Sequence, residues 1–174
     1  MAKKIKLSLN SKDIQQARRE LERIREQLPE RTNLLVYKVA KRIEEYARQG
    51  FADAIVSDAL RGGAKRANVT VTTQSDGTVC TVIADGKDAV FVEFGAGVYH
   101  NGATGSSPHP DGKRLGMLIG SYGEGRGKRN VWGYYDGGEL ILTHGAPAKM
   151  PLYNAAQRVA EELQSIAKEV FTLD

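Results

Sequence analysis

Cysteine is almost missing from this chain: Cys80 stands alone, which excludes an internal disulfide and any thiolate-rich zinc site. Long apolar runs are missing too, and Met1-Ala2-Lys3-Lys4 leads into no apolar h-region, so neither a membrane span nor a signal peptide is expected. The expectation is a soluble protein made in a cytoplasm, with no membrane partner. Extreme charge is also lacking. A net charge of +4 and a pI near 9.2 permit nucleic acid or an acidic protein surface as partner without demanding either. What is present, 41% hydrophobic and 26% charged residues in a chain of 174, describes one globular domain over residues 1–174. A chain of that size buries roughly 70% of its unfolded surface.

Residues 3–9 alternate as a short strand with Ile5, Leu7 and Leu9 on one face. Ser11 then reads as an N-cap, and Ile14, Ala17, Leu21, Ile24 and Leu28 recur at alternating spacings of 3 and 4 on an otherwise charged helix that Pro29 interrupts. A second helix follows on Leu35, Val39, Ile43, Tyr46 and Ala47, continuing to Phe51 and Ile55 with Gly50 inside it and Gly62-Gly63 at its end. Val69, Val71 and Thr73 lead to an Asp76-Gly77 turn. The return strand TVCTVIA is apolar on both faces and is expected at the centre of a sheet, with Cys80 buried in it. Ala89 to Phe94 fits either a strand or one helical turn. A second hairpin turns at Asp136-Gly137-Gly138, with Val131, Trp132, Tyr134 and Tyr135 on one arm and Leu140 to Leu142 on the other. Pro151 sits at the first position of a final helix striped by Leu152, Ala156, Val159, Leu163, Ile166 and Val170. The expected fold is α+β: an antiparallel sheet of about four to five strands, with two N-terminal helices and one C-terminal helix packed on it.

Between the hairpins the chain changes character. Residues 95–130 hold ten of the nineteen glycines and five Lys/Arg against two Asp/Glu, which makes 98–130 a long, basic, Gly-rich loop. Ordering its glycines costs about 1–2 kcal/mol per residue, with few apolar side chains to offset it. The cluster Leu115, Met117, Leu118 and Ile119 is therefore expected to dock on a neighbouring subunit, with amide protection at 115–119 appearing only on assembly. Arg126, Lys128 and Arg129 offer phosphate contacts, although the stretch lacks the Gly-Lys-Ser/Thr spacing of a Walker loop. Trp132, Tyr134 and Tyr135 read as core or interface residues before they read as a base-stacking platform.

Catalytic chemistry finds little support. His100, His109 and His144 lack metal-ligand spacing, and no cofactor motif is present. Glu93, flanked by Val92 and Phe94 and followed by Gly95, is read as a cap or an ion-pair partner in preference to a general acid or base, because no second carboxylate matches it.

Two stretches carry a likeness. FVEFGAG, Phe91 to Gly97, and THGAPAKMPLYNAAQRV, Thr143 to Val159, resemble the tail-completion or head–tail joining family of long-tailed phages. The first is similar to that family's apolar-Glu-Phe-Gly corner, and the second to the proline-marked start of its C-terminal helix. Ala96 departs from a small hydroxyl residue there and Leu152 from an aromatic. The resemblance implies a non-enzymatic virion protein of the neck, assembled in the host cytoplasm. It would be a subunit of a homo-oligomeric ring that meets connector, stopper and tail-tube or terminator proteins, with non-specific contact to passing DNA left open. Glu93, Phe94, Gly95, Pro151 and Tyr153 are the residues it singles out. The rival from another class is a small nucleic-acid-binding or nucleic-acid-cleaving domain that uses the basic loop.

Overall fold

A computed structural model describes residues 10–59, 63–97, 109–112, 114–115, 132–143 and 145–172. The expected strand at 3–9 and most of the Gly-rich loop lie outside these residues. Helix α1 (Ser11–Ala52) is followed by strands β1 (Ile55–Ala59), β2 (Gly63–Arg66), β3 (Thr70–Ser75) and β4 (Cys80–Asp85). The short helix α2 (Ala89–Phe94) and β5 (Ala96–Gly97) come next, then β6 (Trp132–Asp136), β7 (Glu139–Thr143), β8 (Gly145–Ala146) and helix α3 (Pro151–Phe171). The fold is thus mixed helix and strand, with three helices and short antiparallel sheets among the described residues.

The two N-terminal helices expected from Pro29 are one helix of 42 residues. Asn10, not Ser11, caps it, its Oδ1 accepting the Asp13 N–H at 2.8 Å. Pro29 removes one helical hydrogen bond, but it is exposed, so the freed carbonyl meets water. The next turn is held independently. Thr32 Oγ1 donates to the Leu28 carbonyl at 2.8 Å, and Arg31 donates to the carbonyls of Val170 and Thr172 at 3.0 and 3.1 Å, closing the C-terminus of α3. Tertiary contact thereby overrides the local helix breaker.

α3 runs antiparallel to α1, from Gly50 beside Pro151 to Arg31 beside Val170. Along this seam Tyr46 donates to Glu162 at 2.7 Å, with the Arg158 guanidinium 3.8 Å above the Tyr46 ring. α3 buries Pro151, Ala155, Val159, Ile166 and Val170, so Ala155 takes the place expected of Ala156, and Leu163 faces outward at 44% exposure. At the closed end of this helix pair, Ala47, Phe51, Ala54, Val71, Ala89, Val92 and Ala155 form the main core cluster.

Gly50 sits inside α1 because α3 begins there: a Cβ on it would lie 2.8 Å from Pro151 Cβ and 3.4 Å from Pro151 Cα. Helix propensity alone would reward Gly50→Ala by about 1 kcal/mol. The rigid proline ring cannot yield, so overpacking should reverse the sign and the variant should lose about 1–2 kcal/mol in urea unfolding.

The expected extension of this helix to Ile55 is also corrected. Asp53 ends α1, its N–H bonding the Gln49 carbonyl at 3.2 Å, and Ile55 begins β1 at 45% exposure. β-branched Ile55 and Val56 suit a strand, and the Ala67 N–H closes the β1–β2 hairpin on the Ala54 carbonyl at 2.9 Å. Gly63 therefore opens a strand instead of stopping a helix.

The hairpin β3–β4 forms as expected, with Ser75 opposite Cys80 and Thr70 opposite Asp85. The Asp76 carboxylate folds its turn, accepting the N–H groups of Thr78 and Val79 at 2.9 and 2.7 Å. β4 is not central: among the described residues it pairs only with β3, and Cys80 is half-buried, its thiol 3.3 Å from Ser75 Oγ. α1 packs against β3 and β4. β6–β7 is the second expected hairpin, turning on Gly137 and Gly138 with φ of 61° and 90°, values that favour glycine. The described residues hold four two-stranded ladders.

Candidate functional site

The Phe91–Gly97 and Thr143–Val159 segments meet at one corner. Ala89 to Phe94 is the helical alternative, α2, anchored by buried Asp88, whose carboxylate accepts the Asn68 N–H at 3.0 Å. Gly95 ends α2 at φ 88°, ψ 161°, a conformation that favours glycine, and turns the chain into β5. β5 then pairs antiparallel with β8, Ala96 opposite Ala146 and Gly97 opposite Gly145. The Lys149 N–H adds a bond to the Val92 carbonyl at 2.8 Å. This ladder delivers the start of α3 to the side chain of Glu93.

α3 starts without a cap of its own. Met150 occupies the N-cap position in the left-handed region at φ 53° and offers no side-chain acceptor. Pro151 has no N–H to satisfy, and the Asn154 N–H already bonds the Met150 carbonyl at 2.8 Å. The N–H groups of Leu152 and Tyr153 remain, and Glu93 takes both: Oε2 accepts from Leu152 and Oε1 from Tyr153, each at 2.9 Å. The carboxylate is buried at 5% exposure, where the positive end of the α3 dipole compensates its charge. Glu93 is thus a cap, as the residue pattern implied, but of a helix some sixty residues onward and not of its own turn.

His109 completes the corner. Its Nδ1 accepts the Asp111 N–H at 3.0 Å, so the matching tautomer carries its proton on Nε2, which points at Glu93 Oε1 from 3.3 Å. The imidazole lies between rings, 4.5 Å from the Phe94 centroid and 5.2 Å from that of Tyr153. Glu93, Phe94, Gly95, Pro151 and Tyr153 are therefore brought together. Leu115 is described and is 46% exposed, its N–H bonding the Asp111 carbonyl at 2.9 Å. Met117, Leu118, Ile119, Arg126, Lys128 and Arg129 lie outside the described residues, as do His100 and His144. Among the described residues no group of three or more His, Cys, Asp or Glu side chains is placed to hold a metal ion, and no helix is long and apolar enough to cross a membrane.

Two acidic residues escaped the sequence pattern. Asp88 carried no signal beyond following a glycine turn. Glu44 is buried in α1 at 4% exposure between Lys41, 2.6 Å away, and Arg48, both of which reach it from neighbouring turns. Spacings of three and four on a helix were the available signal. The hydrogen bond from Lys41, aided by the charges of Lys41 and Arg48, holds the Glu44 carboxyl below its ordinary range despite burial. Because its folded value is depressed, its contribution is complete above the ordinary glutamate range and is lost as pH falls through and below it. Glu44→Gln should therefore flatten the acid limb of a plot of Tm against pH, with little change in that slope above pH of about 6.

No protein-family model, curated protein or solved structure matches the chain.

Proposed function

We propose that this chain is a structural subunit of the neck of a long-tailed phage, a non-enzymatic virion protein that joins or completes the tail as part of a homo-oligomeric ring. The observation that carries the proposal is the corner itself. The two stretches that resemble the tail-completion family, far apart in sequence, meet through Glu93 and the N-terminus of α3. A motif pair that closes one structural joint is what a shared fold would preserve. Exposed apolar residues add support: Tyr135 at 76%, opposite Leu140 at 54%, and nearby Leu142 give β6–β7 a surface suited to a protein partner. Connector, stopper and tail-tube or terminator proteins are the neighbours this function requires. A single sheet of four to five strands belongs to the same proposal, since β1 lies against both β7 and β8.

The test is reconstitution. Heads and tails from an infection in which this chain is not made should remain separate. Adding purified chain should yield joined particles by negative-stain imaging, with ring density at the tail end. Failure to join, with no ring on tails, would overturn the proposal. The nucleic-acid rival predicts instead tight binding of random duplex DNA that falls steeply between low and moderate salt.

A further inference from the structure

We draw no further inference here: the strongest candidate, the exposed apolar face of the β6–β7 hairpin around Tyr135, Leu140 and Leu142, carries nothing because nothing in the structure shows what covers it.

Discussion

Replacing Glu93 by alanine should cost about 3–4 kcal/mol and lower Tm by roughly 6–16 °C for a domain of this length. The loss has two parts. The N–H groups of Leu152 and Tyr153 are left without an acceptor in a buried corner, and the charge opposing the α3 dipole disappears. No neighbour can step in, because Met150 has no side-chain oxygen and Pro151 keeps the helix from starting one residue later with a different donor set. Glu93→Gln retains one oxygen but brings an NH2 group toward either a backbone N–H or the His109 Nε2 proton. It should therefore lose about half as much. Urea unfolding of the two variants beside the parent decides the matter, with the order Ala, Gln, parent in rising midpoint. An unchanged midpoint in Glu93→Gln would remove the capping role and reopen acid–base chemistry for this carboxylate.

That corner also shows how far a sequence carries an argument. The elements whose signals are local were legible: the Asp76-Gly77 turn, the Gly137-Gly138 turn and the Pro151 start each need only two or three residues to specify a backbone conformation. Glu93 was legible as a cap but not as a cap of α3, because its partners lie 59 and 60 residues away and no spacing rule links them. The misread boundaries have the same origin. Pro29 and Gly50 are both helix breakers by propensity, yet α1 passes through both: the first faces water, and the second makes room for Pro151. β1–β2 was hidden because Ile55 continued the apolar period of α1, and periodicity alone does not separate a helix end from the start of a strand. His109 was considered only as a ligand. Its place against Glu93, Phe94 and Tyr153 depends on a chain path that no short-range pattern encodes.

Phe51→Ala should be the most damaging single truncation among the described residues, at about 3–5 kcal/mol. Phe51 is 1% exposed and is, with Val92 and Val159, among the largest fully buried side chains. Its cluster joins α1 through Ala47, β3 through Val71, α2 through Ala89 and Val92, and α3 through Ala155. Four elements would therefore face one cavity. They cannot close it together, because α2 is tied to α3 through Glu93 and α3 is held on α1 at both Pro151 and Val170. A domain whose whole stability is on the order of 5–15 kcal/mol should then show a large unfolded fraction at 37 °C. Leu21→Ala supplies the contrast. Leu21 is 57% exposed, so its loss should shift Tm by no more than a degree or two. If both variants lowered Tm equally, Leu21 would be part of the core.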